Sequence, residues 1–369
     1  MSLRDQTKPV FIGPVQVGGG APITVQTMTK TDTRDVAATV RQIFEVEEEG
    51  CDIVRLAVPD MEAAQALGEI RKHARIPIIA DIHFHYQFAL EALRQGVDGL
   101  RLNPGNIRDA EKVKQVVNEA KARSVPIRVG VNFGSLPPFP YDKTLVNPTT
   151  VDRMIDAALW EIGILESLDF DMIKISLKAF DIATTTEAYR RMAALRPYPL
   201  HLGITEAGTV RGGTVRSSVG LGIILNQGIG DTIRVSLSGD PKEEIYVGYQ
   251  ILKSLDLRQQ GPVLVACPSC GRADVDIRRL ADLVETELKD ISEPIKVAVM
   301  GCEVNGPGEG RDADVGIAAG VGRAVIFRHG KKSRIVGEAD MYRPHGRSAH
   351  RPRRAKGRSR GGRVRRIAA

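Results

Sequence analysis

Four cysteines are the residues most able to do unusual chemistry in this 369-residue chain, and three of them fall close together. Cys267-Pro-Ser-Cys270 is a thiol pair with two-residue spacing, and Cys302 follows 32 residues on, at the end of the next expected strand. Such a pair suits zinc, a redox disulfide or an iron–sulfur cluster. Three thiolates with no fourth cysteine or nearby histidine suit a closed structural zinc site poorly. A cluster whose last iron takes a non-cysteine ligand suits them better. Glu309, seven residues beyond Cys302 in the turn-rich run Gly301-Cys-Glu-Val-Asn-Gly-Pro-Gly-Glu309, is one carboxylate in reach, and Glu303 is another. Cys51, just ahead of an apolar run, reads as core.

A second constellation is cationic. Arg55, Arg101, Arg128, Lys174, Lys178 and Arg234 each stand in or just after a short apolar run, with Asn103, Asn132 and Ser236 beside them. Asp81 and Glu206 are the carboxylates that accompany them, Glu206 in Leu202-Gly-Ile-Thr-Glu-Ala-Gly208. So many cations around one site repel one another unless an anion compensates, and forked guanidinium groups match phosphate oxygens. A phosphorylated, multiply charged small ligand is therefore expected, with Glu206 as a proton donor or base, or else as an ion-pair partner of Lys178 or Arg234. Two glycine turns, Asn103-Pro-Gly-Asn106 and Gly228-Ile-Gly-Asp231, offer backbone amides to an anion or serve only as turns. His83 and His85 form a His-x-His pair, with no evident third ligand for a metal.

These residues need a scaffold that brings strand ends together. Val- and Ile-rich runs at 23–28, 52–58, 77–83, 98–102, 126–131, 171–176, 199–205 and 232–237 read as buried strands. Amphipathic stretches alternate with them, such as Val36, Val40, Ile43 and Phe44, and the last runs over 241–255. This is the plan of a (β/α)8 TIM barrel, with a doubly wound open sheet as the rival, and a barrel carries its site on the C-terminal rim of the strands. After a linker at 258–262 the pattern changes to a strand at 263–266, a helix at about 274–290, a strand at 295–300 and further short strands to Val336. The expected organisation is a substrate-binding barrel over 1–257, a small α+β domain over 262–340 that holds three cysteines, and a basic tail over 341–369.

The composition narrows the function class. The formal charge is +7, yet residues 343–369 hold eleven Lys or Arg and no acid, leaving 41 basic against 45 acidic residues elsewhere. The basicity thus belongs to an Arg-, Gly- and Ser-rich tail expected to be disordered, and with aromatics at 5% overall it lacks the basic-aromatic interleaving of a nucleic-acid binder. No run reaches the roughly 20 apolar residues of a membrane span, and no apolar block follows a basic start. A cytoplasmic enzyme is expected, neither membrane-bound nor exported, and nucleic acid is not expected as its main partner.

Taken together, Gly-Cys-x-Val-Asn-Gly-Pro-Gly-Glu at 301–309, Cys-Pro-Ser-Cys at 267–270, Leu-His-Leu-Gly-Ile-Thr-Glu-Ala-Gly at 200–208, Gly-Ile-Gly-Asp-Thr-Ile-Arg-Val-Ser-Leu at 228–237 and Gly-Leu-Arg-Leu-Asn-Pro-Gly-Asn at 99–106 resemble the bacterial 4-hydroxy-3-methylbut-2-en-1-yl diphosphate synthases. These are iron–sulfur enzymes of the non-mevalonate isoprenoid pathway, and the resemblance runs from about residue 8 to 340. It implies a TIM barrel followed by a cluster domain like that of sulfite reductase. It further implies a 4Fe-4S cluster on Cys267, Cys270, Cys302 and Glu309, and a barrel that binds 2-C-methyl-D-erythritol 2,4-cyclodiphosphate through Arg55, Arg101, Arg128, Asn132, Lys178, Arg234 and Ser236. Asp81, Glu206 and Asn305 match positions in or near the chemistry, a two-electron reductive ring opening with loss of water. Flavodoxin or ferredoxin would supply electrons. A homodimer is implied, the cluster domain of one subunit capping the barrel of the other. Two departures stand out: Phe180 where the family has a small residue, and the Arg-rich tail where it has an amphipathic helix, from either a changed reading frame or a lineage-specific extension. A cluster-dependent hydro-lyase that needs no reductant, and a zinc-knuckle binding protein, are the rival functions.

Overall fold

The computed structural model describes residues 2–342 apart from positions 84, 108, 260, 271, 272, 274, 289, 290, 292, 303–307 and 309. Asn305, Glu309 and the basic tail from 343 therefore lie outside the described residues. The chain divides into two compact units, one ending at Arg258 and one beginning at Gln259.

The first unit opens with a hairpin, β1 (Val10–Ile12) and β2 (Val15–Val17), turned at Gly13 with a left-handed φ of 55°. Eight parallel strands follow: β3 (Thr24–Met28), β4 (Ile53–Ala57), β5 (Ile78–Asp81), β6 (Gly99–Arg101), β7 (Ile127–Asn132), β8 (Ile173–Lys178), β9 (His201–Leu202) and β10 (Thr232–Ile233). Their order is β8-β7-β6-β5-β4-β3-β10-β9, and a parallel bridge between Ile175 and Leu200 closes the ring beside β9. This is the TIM barrel, not the open sheet. The helices are α1 (Val36–Glu48), α2 (Met61–His73), α3 (Tyr86–Arg94), α4 (Ala110–Ala122), α5 (Thr150–Ser167), α6 (Ile182–Leu195), α7 (Val210–Leu225) and α8 (Pro241–Ser254). Asp35, Asp60, Asp109, Asp181 and Asp240 cap five of them, each accepting a bond from a first-turn backbone N–H.

Side chains alternate along each strand, and the alternation separates two interiors. In β8, Ile173, Ile175 and Leu177 join the continuous apolar core shared with the helices, while Lys174, Ser176 and Lys178 take the opposite, inner face. The barrel lumen, which in most such folds is filled by Val, Ile and Leu, here holds Thr24, Gln26, Arg55, Arg101, Arg128, Lys174, His201 and Thr232 as buried side chains. The hairpin closes the opposite end: Val10, Ile12 and Val17 pack on Ile53 and Ile79, early in their strands. One end of the barrel is thereby sealed with apolar groups and the other is left to charge.

The second unit is a five-stranded mixed sheet in the order β11 (Val263–Ala266), β12 (Lys296–Met300), β13 (Val315–Gly320), β14 (Arg323–Arg328) and β15 (Lys331–Gly337). β11, β12 and β13 are parallel, β14 and β15 antiparallel, and α9 (Ile277–Leu288) connects the first two. A short helix, Glu338–Met341, follows; Met341 is buried with Ala319 and Ala324, and the Arg279 guanidinium lies 5.0 Å from the Tyr342 ring centre.

Candidate active site

The strand register gathers the cations predicted from sequence. Asp81 pairs with Arg101, Arg101 with Arg128, Arg128 with Lys174 and Asn132 with Lys178 across four neighbouring parallel strands. Arg55 Nε and Arg101 Nη1 each stand 3.5 Å from an Asp81 oxygen. Burial alone would raise the Asp81 pKa, but Arg55, a hydrogen bond from His83, Arg101 and Arg128 outweigh it and hold the carboxyl far below the usual range. Asp81 is thus an ionised anchor for the arginines.

One carboxylate does not balance this ring. Arg55, Arg101, Arg128 and Lys178 are buried, as is Lys174, only 1% exposed. Lys178 Nζ is 3.4 Å from His201 Nε2, and a methyl added at Gly203 would fall 2.6 Å from that Nζ, so the glycine makes room for the amine. Burial, then repulsion from Arg128, drives both lysines well below their ordinary values, and burial with repulsion from Arg55 moves Arg234 down to about 10. Arg128 Nε and Nη1, Lys174 Nζ, His201 Nδ1 and Arg234 Nε are buried without a hydrogen-bond partner. Buried donors are ordinarily satisfied, so a barrel interior that leaves nitrogens of two arginines, a lysine and a histidine without partners suits a polyanion.

Several sequence expectations change in position. Lys174 is not on the rim but deep in the lumen, near the start of β8. The Gly228–Asp231 turn precedes β10 and so lies at the sealed end, where Gly228 O accepts a bond from Arg4 N; it cannot cradle a ligand at the mouth. The Asn103–Asn106 turn does lie at the mouth, but Asn103 is spent on Gly130, donating to its oxygen at 3.0 Å and accepting from its nitrogen at 2.9 Å. Helix α4 starts beyond this turn, at Ala110. Glu206 is exposed on a left-handed residue (φ 54°), with no ion pair to Lys178 or Arg234 among the described residues. Its backbone conformation is a cost of about 1 kcal/mol or more for a non-glycine residue, of the kind that collects at functional loops. Asn132 ends β7 and Ser236 lies just beyond β10, both half-buried. His83 Nδ1 is 3.1 Å from Arg101 Nη1. Cys51 is buried, its Sγ 3.1 Å from Ile53 O, and burial pushes its thiol up to about 12.

Two carboxylates escaped sequence reasoning. Glu244, in the first turn of α8, is 1% exposed; it accepts from Thr27 Oγ1 at 2.6 Å and Leu237 N at 3.0 Å, and stands 3.8 Å from Arg234 Nε. Glu161 of α5 accepts from Gly105 N at 2.7 Å, and burial raises its pKa to about 7 against the opposing pull of that N–H and of Arg101. Neither could be placed from sequence, because acids on an amphipathic helix read as solvent-facing. Phe180, the odd residue beside Lys178, is half-exposed with the Arg216 guanidinium 4.1 Å over its ring, so its size costs nothing.

In the second unit, Cys267 follows β11 and Cys302 follows β12, its parallel neighbour; Cys267 N donates to Val299 O at 2.8 Å. Cys270 is exposed, Ser269 between the pair is left-handed (φ 58°), and none of the cysteines forms a disulfide. A methyl at Gly301 would fall 2.6 Å from Ile277 Cγ1, so only glycine lets the end of β12 lie against α9. Three thiols on adjacent strand ends suit a thiophilic metal group, although among the described residues no three His, Cys, Asp or Glu side chains close around one point.

Comparison with known proteins agrees with both halves. A GcpE TIM-barrel domain model matches residues 7–249 and a GcpE protein C-terminal domain model matches residues 263–346. Among similar proteins are the 4-hydroxy-3-methylbut-2-en-1-yl diphosphate synthases (flavodoxin) of Dehalococcoides mccartyi, 57% identical over 92% of this chain and 97% of that one, and of Geobacter sulfurreducens, 54% identical over 92% and 96%. That of Thermodesulfovibrio yellowstonii is 52% identical over 92% and 97%. Dihydropteroate synthase from Stenotrophomonas maltophilia superposes with a TM-score of 0.51 over 68% of this chain and 97% of its own, at 15% identity, a likeness of the barrel fold alone. With both domain models matched in order and full-length relatives above half identity, the chain belongs to the GcpE family.

Proposed function

We propose that the protein is a 4-hydroxy-3-methylbut-2-en-1-yl diphosphate synthase, opening the ring of 2-C-methyl-D-erythritol 2,4-cyclodiphosphate with two electrons and loss of water. The observation that carries this reading is the polar barrel lumen, whose buried Arg128, Lys174, His201 and Arg234 donors lack partners. Arg55, Arg101, Arg128, Lys178 and Arg234 bind the diphosphate, with Asn132 and Ser236 completing the set. Because these groups are held by strands before substrate arrives, little reorganisation is needed to hold the charge that ring opening releases. Asp81 keeps Arg55 and Arg101 aligned. Glu206, exposed at the mouth, delivers the proton that lets the leaving hydroxyl depart as water, and Asn305 is assigned to the chemistry through the motif at 301–309 alone.

The donor set of Cys267, Cys270 and Cys302 fits a 4Fe-4S cluster, with Glu309 as the fourth ligand. When bound, such a cluster would supply the electrons for the reduction, with a flavodoxin as the donor that the relatives' names carry. A homodimer in the cytoplasm completes the proposal. It is supported by α7, which exposes Val215, Val219 and Ile223 along one stripe. No helix among the described residues is long and apolar enough to cross a membrane.

Turnover separates this reading from a hydro-lyase. Anaerobic protein incubated with the cyclodiphosphate and dithionite is expected to yield the linear allylic diphosphate, and to yield nothing without the reductant. Reductant-independent loss of water would overturn the proposal.

A further inference from the structure

We infer that Glu161 is a positioning residue for substrate binding, holding the β6–α4 turn, and through it the Arg101 guanidinium, in its binding geometry. Glu161 is 4% exposed on a helix whose other buried residues are mostly apolar, an expensive place for a carboxylate that serves only the fold. Its Oε2 accepts the Gly105 N–H at 2.7 Å. The turn lies flat on the helix: a methyl at Gly105 would fall 1.8 Å from Trp160 Cζ3 and 2.8 Å from Glu161 Oε1. Trp160 is itself braced by stacking on Tyr141 at 3.9 Å between ring centres.

From this anchored turn two side chains reach the segments on either side of Arg101, β7 and the residues just after β5. Asn103 pairs with both backbone groups of Gly130, and Asn106 Nδ2 donates to His83 O at 3.1 Å. Arg101 uses these same two residues: Nη2 donates to Gly130 O at 3.2 Å and Nη1 lies 3.1 Å from His83 Nδ1. Gly130 is the floor on which the guanidinium rests, since a methyl there would stand 3.0 Å from Arg101 Nε. Releasing Gly105 therefore loosens, by way of Asn103 and Asn106, both supports of one cation. Every residue in this chain of contacts belongs to the first unit, and Cys267, Cys270 and Cys302 to the second, so the effect is expected on substrate binding and not on electron transfer.

The inference rests on the proposed substrate, so the test carries a control for that reading. The cyclodiphosphate is titrated calorimetrically into anaerobically purified holoenzyme of wild type, Glu161→Ala, Glu161→Gln, Gly105→Ala and Arg101→Met. Glu161→Ala and Gly105→Ala are expected to bind about tenfold more weakly, the usual worth of one buried hydrogen bond. Glu161→Gln, which keeps an acceptor for Gly105, is expected within about twofold of wild type, and kcat with dithionite is expected to change less than KM in Glu161→Ala. A merely structural role would lower thermal stability and leave affinity alone. Wild-type affinity in Glu161→Ala, with binding lost in Arg101→Met, would overturn the inference and leave the functional reading standing. Wild-type affinity in Arg101→Met would overturn the reading itself. An equal loss in Glu161→Gln would show that charge, not the anchored turn, is what Glu161 contributes.

Discussion

The mouth of the barrel and the cysteine edge of the second sheet both lie at the C-terminal ends of parallel strands, yet they are built on opposite principles. From its mouth down into the lumen the barrel concentrates charge that folding has desolvated: Arg128 is 3% exposed and the deeper Lys174 1%, and their donors are unsatisfied. The cysteine edge carries reactive groups that folding leaves accessible, with Cys270 exposed and Cys267 and Cys302 half-buried. The first arrangement costs stability in the free protein and returns it on binding a polyanion. The second costs the fold little and, on the proposed reading, depends on a group brought from outside. On the proposed reading, binding and redox chemistry fall to separate units.

That contrast can be broken at either end. The largest effect is expected at the cysteines: Cys302→Ser should reduce turnover by more than about a thousandfold, since the proposed cluster loses a ligand and no other group in the chain supplies its step. Barrel stability and substrate affinity should survive, as circular dichroism and calorimetry would show.

Arg128→Met should behave in the reverse sense. Affinity for the cyclodiphosphate should fall by about a hundredfold, the range for a charge-assisted contact. The ligand-free protein should meanwhile melt higher, by about 1 kcal/mol or more, because an uncompensated buried cation has been replaced by an apolar side chain of similar length. A lower melting temperature would mean that Arg128 is compensated within the fold and that the charge imbalance has been misjudged.

A pH dependence follows from Glu161. Its pKa is raised to about 7 in the folded chain from 4.5, so the folded state binds the extra proton between these values. Its favourable share of stability is complete below about pH 4.5 and is lost as pH rises through 7, by up to about 3 kcal/mol. Glu161→Gln cannot ionise, so it should match wild type near pH 5 and exceed it at pH 8 in urea unfolding. Phe180→Ser should produce the smallest change, within about 0.5 kcal/mol, since the ring is half-exposed and only stacks on Arg216.

Much of this was legible in the sequence because strand ends are punctuated by chemistry. The apolar runs located the strands, although β9 and β10 are two residues each where runs of seven and six were expected; Gly203 and the residues after Ile233 leave the ladder to shape the mouth. The cations were legible as a set because each followed such a run. Depth was not: Lys174 and Lys178 lie on the same face of one strand, and only the closed barrel shows the first deep in the lumen. The sealing hairpin was missed because its three-residue strands carry no periodicity long enough to read. Glu161 and Glu244 were missed because pairing across elements is a three-dimensional fact. Asn305 and Glu309, matched through the motif at 301–309, rest on that resemblance alone.

The most direct test of the central claim is metal analysis of anaerobically purified protein, wild type beside Cys302→Ser, for iron, sulfide and zinc with a visible spectrum. About four irons and four sulfides per chain, with a brown charge-transfer band that the variant loses, is the predicted result. Stoichiometric zinc in a colourless protein would contradict it, leaving a polyanion-binding barrel without the means to reduce its ligand.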